Sequence, residues 1–193
     1  MNEHRFRSRL GRLVLLSTVA LGASLVVPLA EAAASSPVTA TATVLGGTLS
    51  VSVPGTIGFS DTLNGSDQTV TQVLAIDVRD ATGSGAGWNL TATSTQFTAG
   101  SNTLPTNSVS VISGPADVCD SGATCTLATN SVAYPYYLPA GSGPPTASKI
   151  FSAASSSGLA DQTVTPTFTL TIPANTVQAS YTSTWTISVV SGP

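Results

Sequence analysis

The sequence predicts an all-β protein: an Ig-like, Greek-key β-sandwich of about nine strands spanning residues 33–193, preceded by a signal-peptide helix over residues 1–32. Three observations carry this expectation. Thr and Val alternate with small or polar residues through most of the chain, which is the period of two of half-buried strands. Clusters of Gly, Pro, Asn and Ser punctuate the runs at short intervals. Apolar residues at helical spacing are nearly absent after residue 32.

The N-terminal segment has the order of an export signal. Arg5, Arg7, Arg9 and Arg12 precede an apolar run from Leu13 to Val27, and Pro28 leads into the small-x-small site Ala30-Glu31-Ala32. An apolar stretch of about 18 residues can span a bilayer. Gly22, Ser24 and Pro28 interrupt this one and a cleavage site follows it, so no permanent membrane anchor is expected. No Cys stands after the site to accept a lipid, and no Arg-Arg pair marks a twin-arginine signal. The exported chain is expected to begin at Ala33.

The expected strands are Val38–Val44, Thr48–Val53, Gln68–Arg79, Gly87–Phe97, Ser108–Ile112, Cys125–Tyr134, Lys149–Ala153, Thr163–Ile172 and Tyr181–Val190. Turn clusters separate them, among them Pro54-Gly55, Asn64-Gly65, Gly83-Ser84-Gly85, Ser113-Gly114-Pro115 and Ala174-Asn175. Both tryptophans lie in strands with one apolar face. Tyr181, Ser183, Trp185, Ile187 and Val189 share a face, opposite Thr182, Thr184, Thr186 and Ser188. Trp88, Leu90 and Ala92 likewise oppose Asn89, Thr91 and Thr93, while Asp77 and Arg79 alternate in phase on the polar face of their strand.

Charge and residue inventory exclude whole classes of function. Beyond residue 32 the only basic side chains are Arg79 and Lys149, against seven aspartates, for a net charge of −5. Such a surface repels phosphate backbones, so no nucleic-acid partner is expected. His4, Glu3 and Glu31 all lie in the export signal, which leaves the rest of the chain without imidazole and without Glu. Most acid–base and zinc chemistry needs one or the other, so neither an enzyme nor a resident cofactor or metal is expected. The aspartates stand near turns as Asp61 with Asp67 and Asp117 with Asp120. Turn capping accounts for them more simply than calcium, since no EF-hand or related loop pattern is present. Cys119 and Cys125, in CDSGATC, are the only two cysteines, and in an exported chain such a pair closes as a structural disulfide worth roughly 2 kcal/mol.

Two spaced motifs carry a family resemblance. DVRDATGSGAGWNLTAT, with Asp77, Arg79, Gly87, Trp88 and Leu90, resembles the first motif of the WxL domain of Gram-positive surface proteins. YTSTWTISVVSGP, with Tyr181, Trp185, Thr186 and Ile187, is similar to its second motif, although Ile187 stands where the family usually has Leu. Arg79 is followed by Asp80 rather than the more usual Gly, and the cysteine loop is not a family hallmark, so the chain resembles a diverged member. The likeness extends from about Val38 to Pro193. It implies a secreted, extracellular protein held non-covalently on the cell wall through peptidoglycan, alongside other cell-surface proteins of a WxL-type complex.

Two readings of the tryptophan rings follow: core filling between the sheets, or a surface platform for carbohydrate. LPTNS at Leu104 and LPAGS at Leu138 are not the LPxTG sorting signal, so wall attachment is expected to be non-covalent. The alternative from another class is a structural subunit, pilin-like or spore-coat-like, that assembles by pairing of edge strands.

Overall fold

Strand formation in this chain follows the supply of pairing partners as much as the local alternation. The computed structural model describes Ser36 and residues 39–193, so the export signal and its expected helix lie outside the described residues. Thr43–Pro193 forms one unit. Every regular element described is a strand. In chain order they are β1 (Leu49–Ser52), β2 (Gln68–Val73), β3 (Ile76–Asp80), β4 (Trp88–Thr95), β5 (Thr98–Ala99), β6 (Asn102–Thr103) and β7 (Val109–Val111). There follow β8 (Ala116–Cys119), β9 (Tyr136–Tyr137), β10 (Ala140–Gly141), β11 (Ser148–Ala153), β12 (Ala160–Thr165), β13 (Thr167–Ile172) and β14 (Trp185–Ser191). The fold is an all-β sandwich with 14 strands, more than the nine expected.

Part of the difference comes from corners. The expected strands Gln68–Arg79 and Thr163–Ile172 each break in two, at Leu74-Ala75 and at Pro166. The break does not shift the register, because Val73 pairs with Thr167 on one side and Ile76 with Val164 on the other. The Leu74 N–H donates to the Pro166 carbonyl at 3.1 Å and carries the ladder through the corner. Pro166 has no N–H to return, so the sheet bends where the ladder is weakest. One half of this bent layer has the order β1-β3-β12-β8, the other β2-β13-β7-β9.

The opposing sheet is built on β4, which pairs with β14 on one side and with β10 and β11 on the other. One apolar cluster joins the layers, drawing Ile76 and Val78 from β3, Leu90 from β4, Phe151 from β11, Val164 from β12 and Phe168 from β13. Because β4 is central, its polar face is covered too: Asn89 and Thr93 are buried, contrary to the wet face expected from alternation, and Ser94 is buried on the opposite, Trp88 face. Thr93 Oγ1 donates to Pro145 O at 2.7 Å and Ser94 Oγ to Pro139 O at 3.2 Å, so the segment around β10 supplies the acceptors that burial demands.

Two expected strands do not form. Thr39–Val44, the described part of Val38–Val44, is exposed and pairs with nothing in a ladder. Cys125–Tyr134 makes only one isolated bridge, Thr126 with Leu159. Side chains replace a neighbouring strand along it: Ala128 N–H donates to Asp117 Oδ2 (2.7 Å), Thr129 N–H to Ser157 Oγ (3.0 Å) and Val132 N–H to Asn130 Oδ1 (3.1 Å). A backbone satisfied in this way has no need of a ladder. The expected Tyr181–Val190 strand begins in regular form only at Trp185. Cys119 and Cys125 are joined in a disulfide with their Cα atoms 5.6 Å apart.

Candidate binding groove

The two motifs, far apart in sequence, meet in one ladder. β14 runs antiparallel to β4 with Ser191 opposite Trp88, Val189 opposite Leu90 and Trp185 opposite Ser94. Trp88 is fully buried, its Nε1–H donates to Gly158 O at 2.7 Å, and its ring lies 5.8 Å from that of Phe151. Gly87 is glycine for a steric reason: at φ 77° its missing Cβ leaves room for the carbonyls of Ala153 and Ala154. Leu90 is fully buried beside it. Trp185 is half-buried between Phe168, with ring centres 4.9 Å apart, and Phe59, at 6.2 Å. Ile187 packs against the core and Thr186 on the opposite face is exposed.

Asp77 and Arg79 lie elsewhere, on the outer face of β3 in the other layer. Arg79 donates from Nε (3.0 Å) and Nη2 (2.7 Å) to Asp161 Oδ2 across the ladder, where the two residues are directly paired. Asp77, Asp120 and Asp161 bring one carboxylate oxygen each to within 4.8 Å of one another, the one such group among the described residues with the donor type for a hard cation. Thr163 Oγ1 donates to Asp120 Oδ1 at 2.6 Å. Burial and then the neighbouring charge of Asp161 push the Asp77 carboxyl above its ordinary value. The Arg79 hydrogen bond holds Asp161 below the ordinary value. Asp80 is buried and caps the following turn, its Oδ1 accepting from Thr82 N–H (3.0 Å) and Oγ1 (2.6 Å). By alternation it shares the inward face of Ile76 and Val78.

A groove opens at the Trp185 end of the β4–β14 ladder. It measures about 400 Å³ and is lined by Gln96, Asn102, Thr103, Asn175, Thr176 and Tyr181, with Leu104 and two prolines as its apolar wall. Four contacts fix it. The β5–β6 hairpin is tied to the approach of β14 by reciprocal bonds between Thr98 and Thr182, 3.0 and 2.9 Å. Gln96 Nε2 donates to Leu104 O at 2.5 Å, and a turn closed by Thr176 N–H on Pro173 O (3.0 Å) presents Asn175. Tyr181 is half-buried and its hydroxyl donates to Val177 O at 2.8 Å, which holds the ring against that turn.

Comparison of the chain with protein-family models, curated proteins and solved structures finds no match. The likeness to the WxL domain therefore stands on the two motifs themselves. Of their residues, the structure brings Gly87, Trp88, Leu90, Trp185, Thr186 and Ile187 together in one ladder, places Tyr181 in the groove, and leaves Asp77 and Arg79 in the opposite layer.

No charged side chain lines the groove, and none lines the adjoining cleft of about 280 Å³ that continues it past Gln96 along Thr95, Ser142, Ser183 and Thr184. Among the described residues the side-chain amides of Asn102 and Asn175 have no hydrogen-bond partner, so four donor and two acceptor positions stay available to a ligand. Sequence analysis found Tyr181 through its motif and missed Gln96, just beyond β4, Asn102 in β6 and Asn175 in a turn. The only local signal was the turn residue Asn175 itself.

Proposed function

We propose that this is an extracellular domain that attaches non-covalently to the Gram-positive cell wall, by taking the glycan strand of peptidoglycan into the groove at Tyr181. The observation that carries it is the chemistry of that groove: uncharged, lined by amides and hydroxyls, and bounded by an aromatic ring. Such a lining suits N-acetylated sugars, whose hydroxyl and acetamido groups exchange hydrogen bonds with Asn102, Asn175 and Thr176 while a sugar face packs on Tyr181. Each exchanged bond contributes only about 1 kcal/mol net, so a single site is weak. A polymer compensates by offering many equivalent positions.

Three further features support the reading. The tryptophan strands of the two WxL-like motifs pair in one ladder, the first 32 residues have the order of an export signal, and the disulfide suits an oxidising compartment. No helix among the described residues is long and apolar enough to cross a membrane. In this scheme the tryptophans stabilise the ladder and the loops beyond Trp185 make the contacts.

Co-sedimentation with purified peptidoglycan tests the proposal. The protein should pellet with the walls, stay bound when salt is raised because no ion pair is involved, and be released by soluble N-acetylglucosamine oligomers. Protein that remains in the supernatant, or that salt alone releases, would contradict it.

A further inference from the structure

The free edge of β2 and an unpaired stretch of the same chain have matching properties. Since Leu74 N–H bonds to Pro166, the antiparallel alternation directs Gln68, Val70 and Gln72 towards β13 and turns the main-chain groups of Thr69, Thr71 and Val73 away from it. Among the described residues these outward N–H and C=O groups have no partner. The six residues of β2, QTVTQV, contain no charge, proline or glycine, and Val73 is 61% exposed. Natural sheet edges are normally blunted by such residues or covered. Other edges here are protected: β8 carries Asp117 and the disulfide, β11 carries Lys149 and a bulge, and β1 lies beside β14.

Thr39–Val44 alternates Thr with Ala and Val, which is strand-forming chemistry, yet every residue of it is exposed and none enters a ladder. Val44 and the following Leu45 are 93% and 85% exposed, the most exposed large apolar side chains described. The chain is fastened only beyond them. Gly47 N–H donates to Ala81 O at 2.7 Å, and Gly46 lies so close to the Thr82 carbonyl that a Cβ there would collide with it. One molecule thus presents a six-residue strand without an edge and a six-residue edge without a strand, both uncharged.

We propose that Thr39–Val44 of one copy adds as a strand to the β2 edge of a second copy. Outward main-chain groups of Thr69, Thr71 and Val73 then find partners, and the apolar side chains of the added strand are partly buried. Donor and acceptor lie on different parts of the chain, so the contact is head-to-tail: it propagates from copy to copy unless the copies close on one another, in the smallest case as a pair that exchanges both arms. The association is independent of wall attachment and proceeds without glycan.

Sedimentation velocity of the exported protein over a concentration series, in the absence of cell walls, tests this. Dimers and larger species should grow with concentration. Thr71→Pro removes only an outward-facing N–H, and Thr41→Pro acts in a segment with no folded partner, so each variant should run as a monomer with the parent's thermal melt. Val73→Lys, at an exposed edge position, replaces Thr71→Pro if that change lowers the melt. Mixing the arm variant with the edge variant should restore dimers and nothing larger, since one supplies an intact edge and the other an intact arm. A parent protein that stays monomeric at its highest soluble concentration would overturn the proposal, as would variants that still associate or a mixture that fails to form dimers.

Discussion

The two ends of the β4–β14 ladder differ in almost every physical respect. At the Ser191 end Trp88 is sealed: its ring is buried, its N–H is satisfied by Gly158, and Gly87 admits the neighbouring chain at contact distance. At the Trp185 end the ring is half-buried and the strands give way to a hairpin, a turn and a groove in which the amides of Asn102 and Asn175 have no partner among the described residues. Two similar motifs, each read from a Trp and its neighbours, thus serve different ends. One secures the sheets and the other borders a surface on which a ligand can be held. A tryptophan motif on its own does not say which.

The largest expected effects lie at the sealed end. Trp88→Ala removes a fully buried ring and leaves Gly158 O without its donor, and should cost about 3–5 kcal/mol, measured by chemical denaturation. Gly158→Ala should cost roughly 2–4 kcal/mol, because φ is 70° there and a Cβ would lie 2.5 Å from both Trp88 Nε1 and Ala153 Cβ. In a double-mutant cycle the two losses should fall well short of additivity, since removing the indole removes one of the collisions. Additive losses would break the comparison. Trp185→Phe at the open end should cost less, about 1–2 kcal/mol, because most of the contact with Phe168 and Phe59 survives.

The smallest effect concerns the outer face of β3. A carboxyl raised by the fold contributes stability below its unfolded value, near 3.8, and loses it as pH rises through the folded value. Charged Asp77 is therefore a cost at neutral pH. Asp161, held low by Arg79, behaves oppositely and loses its contribution as pH falls through its depressed value. Asp77→Asn also supplies an N–H to the unpartnered Asp161 Oδ1. It should raise the melting temperature at pH 7, by the equivalent of at most about 1 kcal/mol, and leave it unchanged well below pH 3.8, where both side chains are neutral. An equal gain at both pH values would rule out relief of charge repulsion as its cause.

The alternation of Thr and Val was enough to specify an all-β sandwich and a shared face for Trp88 with Leu90 and for Trp185 with Ile187, and the lone pair of cysteines in an expected export product was enough for the Cys119–Cys125 disulfide. It failed where the outcome depends on what lies alongside. Thr39–Val44 has the pattern of a strand and no neighbour; Cys125–Tyr134 has one too, but Asp117, Asn130 and Ser157 satisfy its backbone first. Asn89 and Thr93 read as wet because nothing local reveals that the segments around Pro145 and Gly192 cover β4. The groove was the least legible feature. Gln96, Asn102 and Asn175 are ordinary polar residues of separate segments until the Thr98–Thr182 bridge and the turn at Pro173 bring them together.

The most direct measurement is peptidoglycan binding by the Asn102→Ala/Asn175→Ala double variant, followed alongside its thermal melt. Neither amide has a hydrogen-bond partner among the described residues, so the melt should match the parent's, while affinity for purified walls should fall roughly 30-fold at about 1 kcal/mol for each lost hydrogen bond. Binding that stays at the parental level in the folded double variant would contradict the groove as the site of attachment.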